Sequence, residues 1–212
     1  MFSRLLFSSL LLLPLVAQGA VTRGATTSSC TTTSTGVTSC DVSHTVDSGT
    51  DLLLLCVQME AGENISGTPA WNTTETMTLI NGTTASGSNQ DKRTYAYALV
   101  SPTATTSTIT VSTSQTDNIS AFAVNYIGTD TTDVATATNA VGEDVNDTGG
   151  ETSTTVIASG GTSGNALVFC GAMKGGDADP SSNNASFTEL FDGATGTDAA
   201  ADHSYYMADL LD

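Results

Sequence analysis

From Asp41 onward, short apolar or alternating runs recur between clusters of Gly, Asn, Asp and Ser. Runs of this kind predict β-strands. They fall at Asp41–Val46, Asp51–Glu60, Thr76–Ile80, Thr94–Ser101, Ser107–Ser112, Ile119–Ile127, Val134–Val141, Ser153–Ala158, Ala166–Met173, Ser186–Phe191 and His203–Leu210. Alternation over Thr108–Ser112 puts Ile109 and Val111 on one face. Tyr95, Tyr97 and Leu99 repeat the pattern, as do Phe122, Val124 and Tyr126. Thr is β-branched and suits a half-exposed pleated surface. No stretch carries a helical apolar stripe of useful length. Asn81-Gly82, Gly149-Gly150, Gly160-Gly161 and Gly175-Gly176 tolerate positive φ and read as turns. About ten short strands with turns between them predict an all-β protein, an antiparallel β-sandwich of jelly-roll-like type, over residues 41–212.

The N-terminus has a different texture. Met1–Arg4 carries one positive charge, Leu5–Val16 is apolar apart from Ser8, Ser9 and Pro14, and Ala17–Ala20 supplies small residues. That order reads as a secretory signal peptide over residues 1–20, with the mature chain starting near Val21. The apolar run is short for a membrane span. No later apolar run exceeds Leu52–Val57 with its flanks, so no span is expected in the mature chain. The expected location is secreted, extracellular or cell-surface. Residues 21–40 are rich in Thr and Ser and read as an extended N-terminal segment.

Charge narrows the partners. Lys and Arg total 5 against 22 Asp and Glu, a formal charge of −17. Removing residues 1–20 takes Arg4 and no acid, leaving −18. The remaining cations are Arg23, Lys92, Arg93 and Lys174. Nucleic acid is excluded as a partner, because nothing would neutralise its phosphates. An anionic membrane surface is disfavoured on the same ground. Thr is 38 and Ser 24 of 212 residues, and large aliphatic residues are few, so the core is expected to be lean. Disulfides or subunit contacts would then matter to stability.

Four cysteines suit an oxidising compartment and allow three pairings. Cys30–Cys40 closes a short loop and is the preferred first bridge. Cys56 and Cys170 end two similar apolar runs, LLLLC and ALVFC, and read either as an inter-strand bridge or as two buried thiols. Sequons stand at Asn64, Asn72, Asn81, Asn118, Asn146 and Asn184, candidate sites for covalent glycans. In so hydroxyl-rich a chain several arise by chance. Asp144, Asn146, Asp177 and Asp179 supply oxygens suited to weak calcium binding. Thr155 stands where a twelve-residue calcium loop needs Glu, so solvated acidic loops are the preferred reading and no cofactor is expected. His44 and His203 are the only imidazoles, and no G-x-S-x-G elbow occurs, so no catalytic residues are assigned and the chain is not expected to be an enzyme. The lone Trp71 reads as core in preference to a sugar-stacking platform.

From Asp51 the ordered segments are DLLLLCVQMEA, a Trp-bearing strand with MTLI, KRTYAYALVSPTATTSTITVS, ISAFAVNYIGTD, TSTTVIASGGTSGNALVFCGAM and HSYYMADLLD. In this order the chain resembles secreted bacterial jelly-roll-like β-sandwich modules of cell-surface proteins, over roughly residues 41–212. The resemblance implies fold rather than chemistry. It also implies one more apolar strand after the segment that resembles His203–Asp212. A sandwich short of a strand exposes strand edges and core, which a neighbour's extension can fill. The candidate donor lies within Val21–Ser39, with Val21, Ala25 and Val37 as its apolar residues. Head-to-tail donation builds an open filament from copies of one chain. The expected function is therefore a structural subunit of an extracellular pilus-like fibre assembled by donor-strand complementation. The alternative is a monomeric carbohydrate-binding or adhesive surface module using Trp71 or Tyr205.

Overall fold

The computed structural model describes residues 20–32, 37–59, 64–85, 92–138, 140–146, 151–159, 164–174, 186–195 and 203–211. The leader expected over residues 1–20 lies outside these, apart from Ala20. The chain runs β1 (Thr22–Thr31), β2 (Val37–Thr45), β3 (Leu52–Met59), β4 (Ala70–Trp71), β5 (Glu75–Thr76), β6 (Thr78–Ala85), β7 (Lys92–Val100), β8 (Thr106–Asp117) and β9 (Ile119–Ile127). A one-turn helix α1 (Val134–Ala137) follows. Then come β10 (Ala140–Asn146), β11 (Glu151–Ser159), β12 (Asn165–Lys174), β13 (Thr188–Ala194) and β14 (His203–Leu211).

The architecture is an all-β sandwich of antiparallel sheets. One five-stranded sheet has the order β1-β9-β3-β7-β6, and a second has β10-β11-β12-β14-β13. Strands β2 and β8 form a smaller two-stranded sheet, and β4 and β5 a short ribbon. The first sheet is the middle layer. Along β3, Leu52, Leu54 and Cys56 pack with Ala166, Val168, Cys170 and Met207 of the second sheet. The alternate residues Leu53, Leu55, Val57 and Met59 pack with Val42, Ile109, Val111 and Trp71 on the other side. Strand β9 divides the same way: Phe122, Val124 and Tyr126 face one core, Ile119, Ala121 and Ala123 the other.

This layering explains why β3 reads as an unbroken apolar run: every residue from Leu52 to Met59 is buried, because both faces are covered. Burying each such leucine contributes roughly 1.5–3 kcal/mol. Strands of the outer layers alternate instead. Strand β8 buries Ile109 and Val111 while Thr106, Thr108 and Thr110 face solvent.

Three local expectations are corrected. Val134–Val141 is not one strand. Asp133 caps the helical turn α1, its Oδ1 accepting from the Thr136 N–H at 2.7 Å, and β10 begins only at Ala140. The acidic stretch Glu143–Asn146, read as loop, is part of β10 and pairs with β11. Asn81-Gly82, read as a turn, lies inside β6 beside a register irregularity between Leu79 and Asn81. The other three glycine pairs lie outside the described residues. Among the described residues, no helix is long and apolar enough to cross a membrane.

Two disulfides tie the layers, and all four cysteines are used. Cys30–Cys40 joins β1 to β2 with Cα atoms 5.9 Å apart. Cys56–Cys170 joins the middle sheet to the second sheet with Cα atoms 6.2 Å apart. The two close loops of very different length, with sequence separations of 10 and 114. In the chain-entropy account the longer loop stabilises by about 5 kcal/mol and the shorter by about 3 kcal/mol. Replacing Cys56 and Cys170 by Ala is therefore expected to lower the unfolding free energy more than replacing Cys30 and Cys40, as read by urea titration. Equal losses would count against the inter-sheet bridge as the larger constraint.

Candidate functional site: the edge slot beside β9

The Thr- and Ser-rich segment after residue 20 is paired over Thr22–Arg23 and Thr27–Thr31, on either side of a register irregularity, and again from Val37. Strand β1 lies antiparallel to β9, with Arg23 opposite Tyr126 and Ser28 opposite Ala123. It closes one edge of the middle sheet. The remainder of the segment, Val37–Ser39, opens β2 and pairs with β8. Strand β1 contributes little bulk. Thr27 and Ser29 point to solvent, and Ser28 and Cys30 point inward. Of the donor candidates, Val21 is 1% exposed and packs between the two large sheets. Ala25 is exposed, and Val37 is half-buried against the second core.

What holds β1 is mostly polar. On the face toward the second sheet, Arg23 Nη1 donates to Asp209 Oδ1 at 2.7 Å. Tyr126 donates its hydroxyl to Asp209 Oδ2 at 3.0 Å. Asp209, on β14, has no exposed surface. Burial pushes its carboxyl above the usual range, against the downward pull of Arg23 and Tyr126. Burial, and then the neighbouring carboxylate, push the Tyr126 phenol well above its ordinary value. The cluster thus joins β1, β9 and β14.

On the opposite face a second network holds the middle of β1. Asn125 donates through Nδ2 to the Thr45 carbonyl at 3.0 Å and toward Asp47 Oδ2 at 3.4 Å. Its Oδ1 can then only accept, so His44, 2.9 Å away, carries its proton on Nε2. His44 Nδ1 is left as the acceptor for the Ser28 hydroxyl at 3.0 Å. Asp47 Oδ2 also accepts from the Ala25 N–H at 3.1 Å. Trp71 covers the imidazole edge-on, with ring centroids 6.0 Å apart. A hydrogen-bonded Ser and His also open nucleophilic mechanisms. Here His44 is sealed at 1% exposure and acts as a clamp between β1, β2 and β9. Burial lowers its pKa, while the Asn125 bond and the Asp47 charge pull it up.

Backbone fit completes the slot. A Cβ on Gly24 would stand 2.8 Å from Asn125 Cβ and 2.8 Å from Asp47 Oδ2. Only glycine lets β1 pass that close. A Cβ on Gly164, just before β12, would meet Ala20 Cα and the Val21 nitrogen at 3.0 Å. At the far end Thr32 donates its N–H to the Ile119 carbonyl at 2.9 Å, and its hydroxyl accepts from the Ile119 N–H at 2.8 Å.

The other sequence candidates scatter. Asn64 is exposed and accepts from Arg93, Asn72 sits in a turn at φ 48°, and Asn118 is 7% exposed. The side chains of Asn81 and Asn146, and all of Asn184, lie outside the described residues. So do the side chains of Asp144 and His203, and the residues Asp177 and Asp179. Among the described residues no three acidic, histidine or cysteine side chains converge as metal ligands. Trp71 is fully buried and donates its indole N–H to the Thr103 carbonyl at 2.9 Å. Tyr205 is half-buried and packs on Phe122 with centroids 5.1 Å apart.

Sequence reading missed Arg23, Gly24, Ser28, Asn125, Tyr126 and Asp209 as a set. One signal was present: Arg23 is a rare cation on an otherwise neutral strand, and Asp209 interrupts the apolar run MADLL.

Two outcomes follow for β1 docking. Replacing Gly24 by Ala is expected to loosen β1 and raise amide exchange across β1 and β9, with unchanged exchange counting against the close fit. His44 is held neutral in the fold, so its contribution to stability is complete above the unfolded pKa of about 6.5. That contribution is lost as pH falls through this value toward the lower folded one. The melting temperature is thus expected to drop between pH 7.5 and 5, with a shallower slope in His44→Gln; identical slopes would remove His44 as the cause.

The geometry has no counterpart to lean on: the chain matches no family model, no curated protein and no solved structure.

Proposed function

We propose that this protein is a structural subunit of an extracellular homopolymeric fibre, in which the part of β1 before Cys30 leaves its own sheet and fills the same slot beside β9 of a neighbouring copy. The observation that carries the reading is the contrast between β9 and the strand that covers it. Strand β9 is buried at every residue from Ile119 to Tyr126, so its edge must be closed. The strand that closes it is the N-terminal segment, held by main-chain pairing, two polar clusters and one large apolar side chain, Val21. A strand docked this way within one chain can dock identically between chains, which is the logic of domain swapping. Repeated head to tail, the exchange is donor-strand complementation and does not close.

The leader-like N-terminus and the two disulfides support an exported setting. Exposed Asn64 and half-buried Asn72 are more accessible to glycan attachment than buried Asn118. A monomeric carbohydrate-binding module would have to use residues other than Trp71 and Tyr205, whose rings are engaged in the core.

Electron microscopy of the native secreted protein tests the reading, beside a variant lacking residues 21–29. Filaments are expected from the full chain, with density for one subunit's β1 inside its neighbour. The variant is expected to be exported but unpolymerised. Filaments from the variant, or discrete monomers from the full chain, would refute strand exchange.

A further inference from the structure

We propose that Asp209 and Tyr126 form a receptor for the guanidinium of Arg23 from a second copy of this chain, and that this contact sets the register and self-specificity of strand exchange. The inference rests on the strand-exchange reading and adds the chemistry by which one copy recognises another.

The argument starts from Asp209. Its carboxylate has no exposed surface, and both its oxygens are engaged, one by Arg23 and one by Tyr126. A buried carboxylate without a cation is strongly disfavoured. The body of the fold supplies the anion from β14 and the phenol from β9. The cation arrives on β1, the strand proposed to move. Of the three other cations after residue 20, Lys92 and Arg93 are fixed in β7 and Lys174 in β12. Arg23 is thus the cation carried by the N-terminal segment.

Geometry makes the receptor selective. Arg23 stands opposite Tyr126, whose hydroxyl meets the same carboxylate. A slip of one residue would turn Arg23 to the other face of the sheet. A slip of two would carry it roughly 7 Å along the strand. Either slip leaves Asp209 without its cation, with only the Tyr126 hydroxyl on it, so one register is admitted. A foreign strand lacking a cation at this position meets the same penalty, which is specificity by exclusion. Elsewhere, surfaces of −18 repel one another, so one part-buried opposite-charge contact per junction also defines where copies can meet.

The test separates donor from acceptor. Arg23→Glu carries a strand that cannot enter the slot but keeps Asp209; Asp209→Leu keeps a competent strand but no receptor. Each alone is expected to self-associate about a hundredfold more weakly than the unmodified chain, or worse. Mixed, they are expected to give a 1:1 heterodimer by native mass spectrometry, since one strand and one slot still match. Should either variant fail to fold, the charge-exchanged chain Arg23→Asp with Asp209→Arg serves. It is expected to assemble with itself and not to enter fibres of the unmodified chain. Fibres from the unmodified chain with no heterodimer, undiminished assembly of the single variants, or free mixing of the exchanged chain would overturn the receptor while leaving strand exchange standing. An unmodified chain that stays monomeric would overturn both.

Discussion

Everything in this fold depends on a middle sheet that is apolar on both faces. Strands β3 and β9 place large side chains alternately up and down, and neither set can face water. Two consequences follow. The sheet needs a cover on each side, which the β10–β14 sheet and the β2–β8 pair provide. It also needs its edges closed, because a strand buried on both faces leaves main-chain groups without water if its flank is bare. With few large aliphatic residues in the chain, the covers are built largely from small and hydroxyl side chains, and the Cys56–Cys170 bridge supplements them.

The same constraint explains which elements were legible in the sequence. Strand β3 is legible to within one residue at each end, because a doubly covered strand is a continuous apolar run bounded by polar residues, and β9 is legible over its whole length from the alternation of Phe122, Val124 and Tyr126. Strand β7 shows in the alternation of Tyr95, Tyr97 and Leu99 and β8 in that of Ile109 and Val111, while β11, β12 and β14 show as short apolar or alternating runs between turn residues. Strand β1 is legible as an extended segment and candidate donor strand, but not as a strand beside its own β9. Its stabilisation comes from main-chain pairing and polar contacts, and neither leaves an apolar period to read. Helix α1 depends on one cap, Asp133, and four residues are too few to show a helical period. Strand β10 was hidden by its acids, since an edge strand can carry charge where a central strand cannot.

The slot was less legible than the fold for a reason of distance. Arg23 and Asp209 are 186 residues apart, and Ser28, His44 and Asn125 come from three strands. Each residue taken singly has an ordinary explanation. Only the antiparallel register of β1 on β9 brings the partly exposed Arg23 onto the buried Asp209 of β14. The disulfides were partly legible: the short Cys30–Cys40 loop was the favoured bridge, while Cys56–Cys170 needed the facing of β3 and β12 to separate it from two buried thiols.

Polar attachment and covalent tethering together decide how far β1 can travel. A strand held by several large apolar side chains would expose them on leaving, and the barrier would grow with each. The departing segment exposes chiefly Val21, just before β1, and its larger cost is Asp209, which stays buried and loses its cation until a second Arg23 arrives. The Cys30–Cys40 bridge, however, keeps the end of β1 on β2. From Val21 onward only residues 21–29 are free to leave while that bridge is intact, and nine extended residues reach about 30 Å. In the proposed fibre the neighbour's slot must then begin within that distance of Cys30. Successive subunits are held close by the same disulfide that prevents the whole N-terminal segment from being given away.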